Sequence, residues 1–316
     1  MTIGGRNETG FNQTKLKSEV ISLEMDVECN QIPTLQNPLF GASSGLINDL
    51  PTICGGQDSD YEHVSYCIKY DPIDNAFKTL PDKVKFPVRY SAYAPWQNGQ
   101  ENSIIMVGGF GGGNNERYDT VQVVGTDLNW TFPLPVSHAC MVLLNNGSYL
   151  LTGGSYNSDT PDKTFVFTIE NNHFEWSNGP KMNGGRQDHM CALMKDDNHE
   201  YVVVFSGYPS TIDPQCEYLE IVDNQLSVSW QRCSGLPESF TGGQLITDPQ
   251  SGDLILIGGF EDIISDTIYR LSSINGEWML QNKRLQEARH LHVSMFVPDS
   301  KLTQCELASK VSHDEL

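Results

Sequence analysis

The sequence predicts an all-β fold from three observations. Short apolar runs recur along the 316-residue chain, and Gly, Asn, Asp and Pro separate them. Runs of this kind are typical of antiparallel strands joined by turns. One run in each repeat ends in glycine, and the repeats are about fifty residues long. The glycines that mark the six repeats are Gly5, Gly56, Gly109, Gly154, Gly207 and Gly259.

Each repeat contains enough short runs for one four-stranded sheet. An inner run such as HACMVLL (138–144) comes first, the run that ends in glycine comes second, and two outer runs follow. Glycine fits the end of the second strand because a positive φ, or a close neighbouring backbone, excludes a β-carbon. Four strands in a repeat of this length predict a six-bladed β-propeller of four-stranded antiparallel blades.

The two ends of the chain are expected to share the first blade. The sequence starts at a run that ends in glycine, MTIGG (1–5), and its last β run is an inner one, HLHVSMFV (290–297). We therefore expect the C-terminal run to be the inner strand of the first blade, which closes the ring and removes the sheet edges. The propeller is expected to span residues 1–298 as one domain, followed by a tail at 299–316.

The repeats resemble a known family in their turns and tryptophans. YCIKYDPIDNAF (66–77) contains a Tyr-Asp-Pro turn followed by an aromatic residue, and Trp130, Trp176, Trp230 and Trp278 stand 19 to 23 residues after their glycines. This pattern resembles the kelch-repeat family, with Phe77 in one tryptophan place. The first repeat lacks that aromatic residue, and the fifth has Ser206-Gly207 instead of two glycines. No BTB domain accompanies the repeats, so the resemblance is to kelch proteins of the secreted or luminal type.

The composition limits the classes of partner. The formal net charge is −20 and the isoelectric point is near 4.6. Non-specific binding to nucleic acid or to phospholipid requires a basic surface. No apolar run approaches the length of a membrane span, and the first thirty residues contain no signal-peptide core. We expect no nucleic-acid partner, no membrane insertion and a monomer.

The last four residues form the tetrapeptide HDEL, which retrieval receptors read as an endoplasmic-reticulum address. The signal acts only on proteins that enter the lumen, which leaves two interpretations. A leader is missing from this sequence, and the protein is luminal or secreted, or the match is coincidental and the protein is cytoplasmic. Four glycosylation sequons fit a luminal chain: Asn7, Asn12, Asn129 and Asn146. The tetrapeptide is His313, Asp314, Glu315 and Leu316.

Two pairs among the eight cysteines are candidates for disulfides. If Asn224-Gln225 forms a two-residue hairpin turn, Cys216 and Cys233 lie directly opposite each other on adjacent strands. Cys54 and Cys67 flank the next candidate hairpin. The alternative is that these cysteines are buried thiols in strands.

A ligand is expected at one mouth of the central channel, where loops meet on a rigid scaffold. The loop before each inner strand and the loop after each glycine share one face. The predicted ligand-binding residues precede the inner strands: Arg89, Tyr90, His138, Arg186, His189, Arg289, His290 and His292. Acidic and aromatic residues follow the glycines: Asp58, Asp60, Tyr61, Phe110, Tyr156, Tyr208, Phe260, Glu261 and Asp262.

A mixed cationic and aromatic mouth suits an acidic peptide or an anionic sugar. The alternative is that the Arg and His side chains bond neighbouring backbone and have a structural role. His138-x-Cys140 and His189-x-Cys191 resemble half-sites for zinc, but strands of adjacent blades need not bring them together, so no metal is expected. Gly41-Ala42-Ser43-Ser44-Gly45 matches G-x-S-x-G in a strand without a following helix, so we interpret the match as accidental.

The function predicted from these observations is a non-enzymatic module that presents its mouth to an acidic protein or peptide or to an anionic glycan, without a cofactor. The kelch resemblance allows an alternative, because the family includes galactose oxidase and a sialic-acid epimerase. In that alternative, His and Arg in the mouth act as acid, base and anion clamp on a carbohydrate. Neither a copper ligand set nor the iron motif of plant specifier proteins can be placed here. Catalysis requires two titratable groups near one reacting atom, whereas binding tolerates a dispersed rim.

Overall fold

The computed structural model describes residues 1–6, 18–21, 27–29, 32–81, 83–98, 101–112, 116–157, 159–196, 199–236, 240–260, 262–302 and 305–307. In these ranges the regular structure is β-strand, apart from one 3-10 turn at Asp299–Lys301. No helix within this part of the chain is long and apolar enough to cross a membrane. The prediction of an all-β chain is confirmed.

The main sheets follow one another along the chain, and we number them I to VI. In sheets II to VI the strands run from inner to outer in sequence order, and all pairs are antiparallel. The strands are Ser43–Ile47, Leu50–Cys54, Cys67–Asp71 and Ala76–Leu80 in sheet II; Ala92–Asn98, Glu101–Val107, Thr120–Val123 and Asn129–Thr131 in sheet III; Cys140–Leu143, Tyr149–Thr152, Thr164–Glu170 and His173–Asn178 in sheet IV; Met190–Asp196, His199–Phe205, Cys216–Val222, Gln225–Leu226 and Gln231–Arg232 in sheet V; Gln244–Thr247, Leu254–Ile257, Ile268–Leu271 and Met279–Leu280 in sheet VI.

Sheet I combines strands from both ends of the described chain. Its order is Val293–Ser294, Thr2–Ile3 and Ser18–Glu19, with Thr2 opposite Ser294. The hydroxyls of these two residues are 2.9 Å apart. Two smaller sheets lie outside this series: Val88–Arg89 with Phe110–Gly111 and Glu116–Arg117, and Val27–Cys29 with Cys305–Leu307.

The hydrophobic core lies between the sheets. Five clusters of described residues each fill the space between two sheets that are neighbours in the series, such as the Phe132 and Phe165 rings between sheets III and IV. The remaining cluster joins sheet VI to sheet I, where Ile257 packs with Ile21 and Phe296. Removal of this apolar surface from water holds the sheets face to face.

The glycines after the second strands have the conformation that the sequence predicted for them. Gly109 has a φ of 106°, and its N–H donates to Val136 O at 2.7 Å. A Cβ at this position would lie 2.8 Å from Arg89 O, so only glycine fits. Ser206 adopts a φ of 58° in the fifth repeat, and its hydroxyl accepts the N–H of Phe240 at 2.6 Å. That bond gives serine a role that glycine could not fill.

Both cysteine pairs that the sequence singled out are joined across adjacent strands. Cys54 and Cys67 are bonded with a Cα–Cα distance of 4.1 Å, and Cys216 and Cys233 with one of 5.0 Å. The predicted turn is wrong by one residue, because Asp223 and Asn224 carry the positive φ values and Val222 pairs with Gln225. Irregular residues 227–230 shift the register before Glu217 meets Arg232, which brings the two cysteines opposite each other.

Candidate functional site

Six residues form a hydrogen-bonded ring just before the inner strands. Each has a φ between 52° and 61°. Each donates its N–H to the carbonyl of its counterpart in a neighbouring sheet, for example His138 to Tyr90 at 2.9 Å and Asp188 to His138 at 3.0 Å. The six bonds make a closed cycle. Its members, named the ring below, are Gly41, Tyr90, His138, Asp188, Gly242 and Leu291.

Four ring positions carry side chains in a conformation that favours glycine. A positive φ is uncommon for residues other than glycine, and for a bulky side chain it is a steric outlier. Tyr90, His138, Asp188 and Leu291 all adopt it, although Gly41 and Gly242 fill the equivalent positions without strain. Strain of this kind clusters at ligand sites, so these four side chains are candidates for function.

The ring lies at a channel lined by the inner strands. The channel cavity has a volume of about 720 Å³, within the range of small-molecule sites. Below the ring, the Tyr93 hydroxyl donates to Gln244 Oε1 at 3.2 Å, which links sheets III and VI across the lumen. The Ser44 hydroxyl lies 3.5 Å from the same tyrosine oxygen. The channel therefore has one polar bridge among mostly apolar walls.

His138 and Asp188 meet at the ring. His138 Nε2 lies 3.8 Å from Asp188 Oδ1, and His138 Nδ1 lies 3.0 Å from the Ser137 hydroxyl. The Tyr90 ring stacks on the imidazole at a centroid distance of 4.4 Å, and the Phe110 ring approaches its edge at 5.3 Å. These contacts fix the orientation of the imidazole next to the carboxyl group.

Burial changes the protonation of this pair. It raises the pKa of Asp188 to about 7, and it lowers the pKa of His138 to about 3, with Arg117 and Arg89 adding to the decrease. The Asp188 side chain still exposes 26 % of its surface, and it lines the channel. Near neutral pH, His138 is therefore uncharged and Asp188 is present in both its protonated and its ionised form.

Three arginines lie beside the Tyr90 and His138 part of the ring, and each lies on an aromatic face. The guanidinium carbon of Arg6 is 3.5 Å from the Phe40 ring centroid, and that of Arg117 is 4.7 Å from the Phe110 centroid. Arg89 lies 5.2 Å from the centroid of Tyr90. The small sheet explains this grouping, because Phe110 pairs with Arg89 on one side and with Arg117 on the other.

The side-chain hydrogen bonds described for Arg89 and Arg117 go to neutral acceptors. Arg117 donates to the hydroxyls of Ser137 at 3.2 Å and Ser155 at 3.0 Å, and Arg89 donates to Gln57 Oε1. All of these acceptors are neutral. Burial and the nearby Arg89 charge both lower the pKa of Arg6. Arg89 and Arg117 therefore bring positive charge to this face, in a chain whose net charge is −20.

Arg186 and Arg289 do not line the mouth, and the prediction that they do is wrong. Both are fully buried. Arg186 donates to Ser206 O at 3.1 Å and Pro214 O at 2.8 Å, and it pairs with Glu217. Arg289 donates to Gly4 O at 3.1 Å and pairs with Glu19 at 2.5 Å. Their positions explain the error, because both stand two residues before a ring residue, whereas Arg89 stands one residue before Tyr90.

Two of the predicted histidines are also buried. His189 and His292 follow ring residues directly, and burial lowers the pKa of both well below the usual histidine range. His189 Nε2 lies 2.8 Å from the Thr152 hydroxyl, inside the sheet packing. Tyr156 is buried in the core between sheets III and IV. The structure brings four of the predicted residues together at the ring face: Arg89, Tyr90, His138 and His290.

Sequence reasoning missed Asp188, Arg6, Arg117 and Gln57. Asp188 occupies the same repeat position as Tyr90 and His138, so an alignment of the repeats on the residue before the inner strand could have found it. Arg6 directly follows Gly5, as Phe110 follows Gly109, and pairs with His290. Arg117 carried no repeat signal, because it reaches the site through the small sheet.

A third disulfide joins two cysteines that the sequence analysis weighed as zinc ligands. Cys140 and Cys191 are bonded, with a Cα–Cα distance of 5.8 Å, so neither is available to a metal. Within the described ranges, no group of three or more His, Cys, Asp and Glu side chains could hold a metal ion. Asn129 and Asn146 are exposed. Asn7, Asn12, Glu261 and His313 to Leu316 lie outside the described residues.

Comparison with known proteins supports the fold and leaves function open. No family model matches the chain, and no curated protein sequence matches it. Among solved structures, the chain is similar to YjhT, with a TM-score of 0.59 and 12 % identity over 79 % of this chain and 86 % of that one. YjhT has a β-propeller-like fold. At this identity the likeness shows the fold alone, and the chain described here therefore has a β-propeller-like fold.

Proposed function

We propose that sheets I to VI are the blades of a closed, kelch-type six-bladed propeller spanning residues 1–298. The cycle of ring hydrogen bonds supports closure, because it returns from Leu291 of the C-terminal segment to Gly41. The cluster between sheets VI and I supports it independently. Closure explains why the inner strand of sheet I comes from Val293–Ser294.

We further propose that the ring face binds a small anionic ligand, a carboxylate- or sulfate-bearing sugar. The observation that carries this proposal is the group of Arg6, Arg89 and Arg117 on aromatic faces beside a strained ring. Guanidinium groups make paired, charge-assisted hydrogen bonds to carboxylate and sulfate. The channel next to the arginines has a volume of about 720 Å³ and is lined by Tyr90, His138 and Asp188, so it can hold a sugar-sized molecule better than a flat protein partner.

A second candidate function is acid–base catalysis on the bound sugar. It is favoured by one observation, the approach of His138 Nε2 to Asp188 Oδ1 at 3.8 Å. A carboxyl group with a pKa near 7 can donate and accept a proton at neutral pH, which is the property a general acid or base requires. His138 stays neutral and can accept a hydrogen bond from a ligand hydroxyl at the same place.

The disulfides support an oxidising compartment for the protein. Three disulfides are compatible with an extracellular or luminal protein, because reducing compartments keep thiols free. We propose the endoplasmic-reticulum lumen or the extracellular space as the location. Non-reducing peptide mapping of protein isolated from a secretory compartment should recover all three bonded pairs, and free thiols at these positions would contradict the proposal.

The binding proposal is tested by titrating glucuronate, neutral glucose and an oligo-glutamate peptide into the protein by calorimetry. We expect glucuronate to bind and glucose not to bind. Arg89→Ala and Arg117→Ala should each weaken glucuronate binding by about 10- to 100-fold, since a charge-assisted bond contributes about 1.5–3 kcal/mol.

Arg232→Ala is the matched control for these variants. It removes the same charge from an exposed pair with Asp213 on the outer edge of sheet V, and it should leave binding unchanged. An equal loss of glucuronate affinity in Arg232→Ala would mean that the effect comes from net charge alone, which would contradict a binding site at the ring face. If the protein binds oligo-glutamate but not glucuronate, the ligand is an acidic peptide and the sugar proposal is wrong.

A further inference from the structure

The Cys140–Cys191 disulfide differs from the other two in what it connects. Cys54–Cys67 and Cys216–Cys233 each join adjacent strands of one sheet. Cys140 and Cys191 belong to the inner strands of sheets IV and V, which have no backbone ladder in common. Both cysteines line the channel. This disulfide therefore fixes one sheet to the next at the wall of the cavity.

The disulfide lies next to the His138–Asp188 contact. Cys140 follows His138 by two residues and Cys191 follows Asp188 by three. An extended strand rises about 3.3 Å per residue, so the covalent link is about 7–10 Å along the strands from the two ring residues. On the ring side, Asp188 N–H donates to His138 O at 3.0 Å. Two anchors, one hydrogen bond and one disulfide, thus hold the two strands where the pair meets.

We propose that the Cys140–Cys191 disulfide is a positioning element that holds Asp188 against His138 and limits the access of water to the pair. The proposal rests on the proposed site but not on the identity of its ligand. His138 has further supports on its own side, from the Ser137 hydroxyl and the Tyr90 ring. Asp188 depends on the placement of its strand, because burial alone accounts for its raised pKa.

Opening the disulfide should therefore affect Asp188 first. With the link removed, the inner strands of sheets IV and V can separate, more water can reach the carboxyl group, and its pKa should fall toward the usual range. The cysteine substitutions remove none of the charged and titratable groups around the pair: Tyr90, Arg6, Arg89, Arg117, Arg186 and His189. A change in the pKa of Asp188 in this variant therefore reports a change in the position of Asp188, because no neighbouring charge has been removed.

The test compares Cys140→Ser/Cys191→Ser with the control Cys54→Ser/Cys67→Ser, each after its fold is verified by near-ultraviolet circular dichroism. The carboxyl titration of Asp188 is followed by ¹³C NMR of aspartate-labelled protein and assigned with Asp188→Asn. We expect a midpoint near 7 in the wild type and the control, and a decrease of about one unit or more in the Cys140 and Cys191 variant. An unchanged midpoint, or an equal shift in the control, would overturn the proposal.

A second measurement covers a serine variant that fails to fold. Cys140→Ala/Cys191→Val keeps the site apolar and removes the covalent link, and it should give the same decrease. Because the titration requires no ligand, its outcome is separate from the sugar proposal. Wild-type protein that does not bind glucuronate would refute the proposed function, and only the NMR midpoint would decide the role of the disulfide.

Discussion

Arg89 and Arg186 differ by one position relative to the ring, and this difference places Arg89 at the ring face and Arg186 in the protein interior. Both stand just before an inner strand, and the sequence gives no reason to treat them differently. Arg89 is half-buried, lies against Tyr90 and donates to neutral Gln57. Arg186 is fully buried, bonds three carbonyls of one loop and pairs with Glu217.

The difference follows from the alternation of an extended chain. Successive side chains point to opposite sides, so a residue one position before the ring and a residue two positions before it face different surroundings. Arg186 reaches inward, where its charge requires a buried carboxylate and several carbonyls. Arg89 reaches the ring face, where a ligand can complete its hydrogen bonds.

Among the variants that test this difference, Arg186→Ala is expected to lower the free energy of unfolding most. The change leaves Glu217 as a buried carboxylate without its cation, which costs about 3–5 kcal/mol of the free energy of unfolding. Arg89→Ala should cost about 1 kcal/mol or less, because its partner Gln57 is neutral. Denaturant unfolding of both variants gives the two values.

A compensating variant makes this prediction specific. Arg186→Met/Glu217→Gln removes both charges and should recover part of the stability lost in the single variant. Per folded molecule, Arg186→Ala should bind glucuronate like the wild type. Similar losses of stability in Arg89→Ala and Arg186→Ala would remove the distinction between the two positions.

The next effect concerns Asp188 and its pH dependence. Its pKa is raised from 3.8 to about 7 in the folded protein, so between these values the folded state holds a proton that the unfolded chain has released. Stability therefore falls as pH rises from about 4 to about 7, by a few kcal/mol at most. Asp188→Asn removes this loss, so its advantage over the wild type should grow through that window, as measured by melting temperature.

Anion binding should follow the same titration. Above pH 7 the ionised carboxylate repels an anionic ligand at the ring, so glucuronate affinity should decrease in the wild type and stay constant in Asp188→Asn. His173→Gln is a suitable control, because His173 is exposed on the outer strand of sheet IV. A difference in melting temperature between Asp188→Asn and the wild type that stays constant from pH 4 to 7 would show that Asp188 is ionised in the folded state.

The features that sequence could predict are local ones. Strands, turns and the glycines at strand ends depend on residues a few positions apart, so the all-β fold was predicted correctly. The Cys54–Cys67 and Cys216–Cys233 pairs also follow from the geometry of single hairpins. Even there, the predicted turn is one residue away from the observed turn at Asp223 and Asn224. The two cysteines still lie opposite each other because irregular residues 227–230 shift the register, and no pattern in the sequence indicates this shift.

The site depends on relations between sheets, which a single repeat does not encode. The Cys140–Cys191 bond required two inner strands to approach, and sequence alone gave no distance between them. The positive φ of Tyr90 was equally hidden, because a bulky aromatic residue rarely adopts it. Arg117 reached the ring through a small sheet built from loops. Packing between sheets therefore decided which of the candidate cations became accessible.

The smallest expected effect tests whether the ring is strained. Leu291→Gly removes a half-buried side chain but also relieves a positive φ, which costs about 1–2 kcal/mol in a residue other than glycine. The two changes oppose each other, so the free energy of unfolding should change by about 1 kcal/mol or less.

Leu193→Gly is the matched control, since Leu193 is also half-buried in the channel wall but lacks a positive φ. It should lose about 2–3 kcal/mol. If chemical denaturation gives equal losses of unfolding free energy for the two variants, the ring is not strained. Strain would then no longer support a role of the ring side chains in binding.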